Sequence, residues 1–161
     1  MIVLDDRERD IMPCLSRFDV PAAPCRLDFG DAFFIGCGPL GSVTIGFERK
    51  KLTDLIASMR DRRLAGHQLR GMWGSYDYVY LVIEGIWRAG DGGSIEHPVG
   101  GRWVPLYFKS TGISYRQVDS FISTLELLGG VIVCKTNGPS ETAALYVSRY
   151  QIGRASCRER V

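Results

Sequence analysis

The run from Gly30 to Ser58 admits few arrangements other than strand, turn, strand, helix. Gly38-Pro39-Leu40-Gly41 concentrates turn formers between two apolar runs, the pattern of a hairpin. On the second arm Val43, Ile45 and Phe47 alternate with Thr44, Gly46 and Glu48, which is the period of a strand. Past Lys50 the period changes, and Leu52, Leu55, Ile56 and Met59 fall on one helical face. Alternation sends Glu48 and Lys50 to one side of the strand and Arg49 to the other. Two strand residues span about 7 Å, so this carboxylate and ammonium are expected to serve one site without closing into an ion pair. Asp31, at the start of the partner strand, is the natural second carboxylate. Two hard oxygen ligands beside a lysine suit a Mg²⁺-dependent phosphodiesterase: the cation binds phosphate oxygen and water, and the lysine steadies the charge that builds up. A plain hairpin with an exposed Glu and Lys accounts for the same three residues, so their neighbours decide.

Those neighbours form ordered motifs. Asp5-Asp6-Arg7-Glu8 fits an Asp-x-Arg-Glu opening, Gly30-Asp31 a Gly-Asp, and Glu48-Arg49-Lys50 with Asp54 a Glu-Arg-Lys-x-x-x-Asp. Asp54-Leu55-Ile56-Ala57-Ser58, then Arg63-Leu64 and Gln68, continue the series. In these motifs the sequence resembles the nuclease domain of the XPF-type structure-specific endonucleases, a branch of the restriction-endonuclease-like fold. The resemblance is strongest from Ile2 to Gly85 and weaker to about Gln151. It implies an α/β fold with a central mixed β-sheet flanked by helices. It implies a metal-dependent endodeoxyribonuclease that cuts branched or flapped DNA in repair, recombination or replication. Asp31 and Glu48 would be ligands for Mg²⁺, with Mn²⁺ able to substitute and the Arg49 carbonyl as a third oxygen. Lys50 would position water and stabilise the transition state, and Asp5 would complete the acidic rim. Arg7, Glu8, Arg49 and Asp54 would hold these groups in register. The resemblance also implies pairing through the nuclease domain, here as a homodimer. Two other readings stay open: a non-catalytic DNA-binding partner subunit, and a restriction-type nuclease. The first would have lost acids or the lysine, all present here; the second shares the metal site but not the flanking motifs. Larger relatives carry a helix-hairpin-helix module that this chain lacks, so it resembles the short stand-alone versions of phages and bacteria, unless a module follows.

Residues 152–161 show no apolar periodicity and read like a translated sequencing adapter, which sets the expected nuclease domain at 1–151. The whole chain has 20 Lys and Arg against 18 Asp and Glu; without the tail's three arginines and one glutamate, 17 of each remain. Support for nucleic-acid binding must therefore be local. Arg60, Arg62, Arg63 and Arg70 form a candidate phosphate-contacting stripe just after the motif, with a solvated helix face as the alternative. His67 reads as a surface residue. Cys14, Cys25, Cys37 and Cys134 lack zinc-ligand spacing, and most of them fit buried thiols in a reducing cytoplasm, bacterial or of a phage-infected host. No segment has the length of a membrane span.

Elsewhere, Ile2-Val3-Leu4 is a short strand delivering Asp5, and Asp10 to Phe18 a short helix. Tyr78 to Gly85 is a buried strand whose terminal Glu84 faces water, an arginine or the metal. Residues 86–105 are rich in glycine and read as an inserted hairpin or flap. There Trp87 and Trp103 either pack on each other or, with Arg88, Arg102 and Lys109, grip DNA. Ser114 to Leu128 is a helix, Val131 to Cys134 a buried strand, and Ser140 the N-cap of a last helix. Phe121, Ile122, Leu125, Leu145 and Val147 offer more apolar surface than one sheet face is expected to cover, which is material for a dimer interface.

Overall fold

Strand and helix periods alternate along the chain, and a computed structural model realises them over residues 1–61 and 67–158, with side chains described as far as Arg154. The elements are β1 (Ile2–Asp5), α1 (Met12–Leu15), β2 (Ala22–Cys25), β3 (Ala32–Gly38), β4 (Gly41–Lys51), α2 (Leu52–Asp61), α3 (Leu69–Ser75) and β5 (Tyr78–Glu84). Then come β6 (Arg88–Ala89), β7 (Ile95–Val99), β8 (Arg102–Pro105), β9 (Tyr107–Phe108), β10 (Thr111–Gly112), α4 (Tyr115–Leu127), β11 (Ile132–Thr136) and α5 (Pro139–Arg158). Six strands make one sheet in the order β2-β1-β3-β4-β5-β11. The pairs β1–β3 and β3–β4 are antiparallel, and β1–β2, β4–β5 and β5–β11 are parallel. This is the mixed sheet flanked by helices that the sequence implies.

Each face of the sheet carries its own core. On one, Val79, Leu81 and Ile83 of β5 meet Leu55 and Ile56 of α2, Leu69 and Met72 of α3, and Val118, Ile122 and Leu125 of α4. On the other, Leu4, Phe34, Phe47 and Val82 meet Leu15 of α1 and Ala143, Tyr146 and Val147 of α5. Burying a side chain of this size is worth about 1.5–3 kcal/mol, so the alternation of β4 and β5 decides which helix covers which face. The hairpin register extends one residue past β3. Asp31 N–H donates to the Phe47 carbonyl at 2.7 Å and Asp5 N–H to the Asp31 carbonyl at 2.8 Å, so Asp31 lies beside the end of β4.

Several expectations change. The extended passage around Pro21 and Pro24 is a sheet edge, β2. β11 is the opposite edge and only partly buried, because no strand lies beyond it. α5 starts at Pro139, so Ser140 is inside the helix rather than its cap; the Asn137 N–H is satisfied by Glu141 Oε2 instead, at 2.6 Å. The glycine-rich insertion becomes a three-stranded sheet, β6-β7-β8, followed by the β9–β10 hairpin. Its tryptophans do not pack on each other. Trp87 lies against Tyr115 and under the Lys135 ammonium, and the Arg88 guanidinium covers Trp103. The surface expected to drive dimerisation is largely internal, since Ile122, Leu125 and Val147 are buried against the sheet. Of the free thiols, Cys14 is buried and Cys25 is exposed. Among the described residues no helix is long and apolar enough to cross a membrane.

α5 runs past Gln151, and Gly153 lies close to β3, where its Cα would be 3.3 Å from a Cβ placed at Gly36. Gln151, Ile152 and Arg154 are exposed, so little apolar area depends on this turn. A chain ending at Gln151 is expected to melt within about 2–4 °C of the full chain, the shift that about 1 kcal/mol gives at this size. A thermal scan with a much larger drop would place the Gly153 contact in the essential core.

Candidate active site

The end of β4 sets Asp31 and Glu48 side by side on the face covered by α2 and α3. Glu48 is 4% exposed and accepts from Gln68 Nε2 at 2.9 Å. Lys50 Nζ is 3.1 Å from the same Glu48 oxygen. The expected open spacing of Glu48 and Lys50 is therefore wrong: the lysine's four-carbon stem reaches back over the two-residue step and closes an ion pair. Asp31 Oδ2 accepts from the Arg49 N–H at 2.7 Å. Burial pushes both carboxyls above the usual range, and the Glu48 charge adds to the rise at Asp31, while Lys50 opposes it at Glu48.

Two glycines put Asp31 there. Gly30 turns the chain into it at φ +79°, a conformation that a side chain disfavours. At Gly46 a Cβ would come within 2.2 Å of the Tyr76 ring. The bare Cα lets that ring lie on β4, and the Tyr76 hydroxyl donates to the Phe29 carbonyl at 2.7 Å, anchoring the loop before Asp31.

Behind this pair, on the opposite face of β4, Arg49 is buried and every one of its N–H groups has a partner. Nε and Nη2 donate to Glu84, Nη1 to Glu8, and both Nη atoms to Asp10, at 2.7–3.0 Å. Glu84 Oε2 also accepts from the Thr142 hydroxyl of α5 at 2.9 Å. Glu84 is thus the strand-end acid facing an arginine. Asp10 was not singled out by sequence reasoning. The available signal was a charged Arg49 on a strand face that must be covered, which demands acids from neighbouring segments.

Asp5 does not stand open at the rim. It is 1% exposed; Arg7 Nε and Nη2 hold its two oxygens, and the Arg7 and Leu27 N–H groups each donate to it at 2.9 Å. Asp5 and Arg7 together pin the chain after β1 to the loop before β3. Asp54 is exposed and, among the described residues, bonds neither Lys50 nor Arg49. It sits on the outer side of α2, and the acids at Glu8, Asp10 and Glu84 fill the place expected for it. Of the arginine stripe, Arg60 lies in the last turn of α2 with its guanidinium over Phe108, Arg70 is exposed on α3, and Arg62 and Arg63 lie outside the described residues. His67 is exposed, as expected of a surface residue, and stands beside Gln68 at the mouth of the site with its ring near Phe29.

Arg7, Glu8, Asp31, Glu48, His67 and Gln68 surround a cavity of about 330 Å³. The model of the ERCC4 domain matches residues 4–148, nearly the whole chain. The chain belongs to the ERCC4-domain family. Among solved structures, XPF from Aeropyrum pernix matches at a TM-score of 0.69 and 22% identity over 94% of this chain and 60% of that one. The same protein in complex with DNA matches at 0.67 and 23% over 99% and 66%. The chain thus spans about two thirds or less of those proteins, and at this identity the likeness establishes the restriction-endonuclease-like fold. Comparison with curated proteins gives no match.

Within this ERCC4 domain, Asp31 and Glu48 have the chemistry of a divalent-cation site. They are adjacent, Glu48 buried and Asp31 partly buried, and Asp31 Oδ1 and Glu48 Oε2 make no hydrogen bond among the described residues. A dication offsets both the burial of two charges and their repulsion. Among the described residues no cluster of three or more His, Cys, Asp or Glu forms a metal site. A carboxyl whose folded pKa is raised stabilises the fold at low pH and costs stability as pH rises. Asp31→Asn is therefore expected to raise the melting temperature of metal-free protein by about 2–4 °C at pH 8, with a smaller gain at pH 4. A fall in melting temperature at pH 8 would contradict that burden.

Proposed function

We propose that this ERCC4-domain protein is a Mg²⁺-dependent DNA endonuclease that hydrolyses phosphodiester bonds at branched or flapped DNA. The observation that carries the reading is the Asp31–Glu48 pair lining one cavity, with Lys50 bonded beside it. Asp31, Glu48 and the Arg49 carbonyl would hold the cation, with Mn²⁺ able to replace Mg²⁺. When bound, the ion supplies Lewis acidity toward a phosphate oxygen and lowers the pKa of a water. Lys50, steadied by Glu48, presents its ammonium where negative charge grows on the phosphate. Gln68 fixes the Glu48 rotamer from α3's side, and the Arg49 cluster fixes the strand beneath it. Arg60, Arg62, Arg63 and Arg70 are proposed phosphate contacts, and the setting is DNA repair, recombination or replication in a bacterial or phage-infected cytoplasm.

Asp31→Asn and Glu48→Gln should abolish Mg²⁺-supported cleavage of a labelled fork while leaving the fold intact. Lys50→Ala should slow it by at least about 10²-fold, the scale for losing one preorganised contact to a transition state. Near-normal turnover in Glu48→Gln would sink the assignment.

The active form is proposed to be a homodimer. Leu127 and Leu128 at the end of α4, 83% and 86% exposed, lie near exposed Trp73, which borders Gly129, and offer an apolar patch for it. Light scattering should give twice the chain mass, and Leu127→Lys with Leu128→Lys should return a monomer. Fork binding should weaken steeply with salt. A wild-type monomer with salt-independent binding would refute the arrangement.

A further inference from the structure

The insertion between β5 and α4 does more than decorate the sheet. Its β7 strand and Leu106 face the C-terminal ends of β4, β5 and β11 across a groove of about 370 Å³ that shares no residue with the Asp31–Glu48 cavity. This wall is fixed. Ile95 N–H donates to the Ile113 carbonyl and Leu106 N–H to the Ile95 carbonyl, each at 2.7 Å, and all three side chains are buried in the core. The groove's floor and rim offer Lys51, Thr53 and His97 beside apolar Ile86, Pro98 and Leu106.

The lysine of this groove differs from the cations around the Asp31–Glu48 site and on β6. Lys50, Arg49, Arg7 and Arg88 are each held by a carboxylate. Among the described residues the side chains of Lys51, Thr53 and His97 have no such partner and no hydrogen bond. Glu84 is the one acid lining the groove, and both its oxygens are engaged by Arg49, with Thr142 on Oε2. A lysine and two further polar groups therefore converge on a concavity whose one lining acid, Glu84, is already engaged, while Asp10, held by Arg49, acts on Lys51 through space without bonding it. Ile86 stands 49% exposed at its mouth. Strand alternation places Lys50 and Lys51 on opposite faces of β4, so a chain crossing the end of β4 would meet the catalytic site first and this groove next.

We infer that the groove is a subsite for one unpaired nucleotide next to the scissile phosphate. Lys51 meets a phosphate, Ile86, Pro98 and Leu106 take the base by apolar contact, and His97 and Thr53 bond its edge. The inference rests on the endonuclease reading above. The volume is at the low end for a small-molecule site, enough for one nucleotide and too little for a base pair. A base enters such a site only by leaving its stack, which costs least when it is already unpaired. Preference for a branch or flap over a continuous duplex follows, because the continuous duplex has no unpaired nucleotide to offer.

The test is fluorescence anisotropy of the full chain in EDTA, with a labelled oligothymidylate and a blunt duplex of equal length. Lys51→Met combined with His97→Ala should weaken oligothymidylate binding at least about ten-fold and change duplex binding by less than about two-fold. Ile86→Trp, which fills the groove without removing charge, should do the same, with circular dichroism checking that each variant folds. Unchanged oligothymidylate binding in folded variants, an equal loss on both DNAs, or no oligothymidylate binding by the wild type would each overturn the subsite. Fork cleavage in Mg²⁺, followed in parallel, separates the two ideas. Selective loss of oligothymidylate binding in the variants, with a wild type that never cleaves, supports the subsite and sinks only the endonuclease reading.

Discussion

A guanidinium inside a protein is tolerable only when its N–H groups all have acceptors, and Arg49 meets that condition with Glu8, Asp10 and Glu84. These residues come from the loop after β1, from the approach to α1 and from β5, and Thr142 adds α5. One side chain therefore ties together segments that are far apart in sequence. Loss of the Arg49 side chain would leave the buried Glu84 carboxylate without its cation, and breaking a buried pair costs about 3–5 kcal/mol. The backbone of the same residue faces the other way, since its N–H fixes the carboxyl of Asp31. The cluster on one face of β4 and the carboxylates on the other are thus positioned by one residue.

The acids at this sheet edge respond to pH in opposite senses. Arg7 holds Asp5 below the usual carboxylate range, with help from the Leu27 and Arg7 N–H groups against the effect of burial. Its contribution is present above the ordinary carboxylate pKa and fades as pH falls into strong acid. Asp31 and Glu48, raised by burial, weaken the fold as pH climbs. The domain carries a stabilising acid and two destabilising ones within a few residues of the same strand ends. That division separates scaffold from site more sharply than exposure does.

Much of this was legible in the sequence. The hairpin and its switch to helical period placed Asp31, Glu48 and Lys50 together, because alternation and register are local properties. The opposite side for Arg49 was legible for the same reason. Its partners were less so, since Asp10 and Glu84 reach it through tertiary packing that no spacing encodes. Asp54 misled because helical proximity to Lys50 is only one turn, and the rotation of α2 turns it outward. Trp87 and Trp103 misled because the insertion forms its own sheet, whose pairing sets Arg88 diagonally across β7 from Trp103. The apolar positions of α4 and α5 were read correctly as faces, but the sheet is wide enough to cover them.

The edge strand β2 limits what the sheet can join. The Pro21 and Cys25 carbonyls accept from Ile2 and Asp6, so the odd-numbered residues turn toward β1 and Pro24 turns outward. Proline has no N–H to offer there, and an incoming strand would find a gap where its carbonyl needs a donor. This side of the molecule is closed to strand addition, and with it to the edge-to-edge stacking that seeds aggregation. A short strand that looks like a mere connection thus acts as a gatekeeper against edge-to-edge pairing.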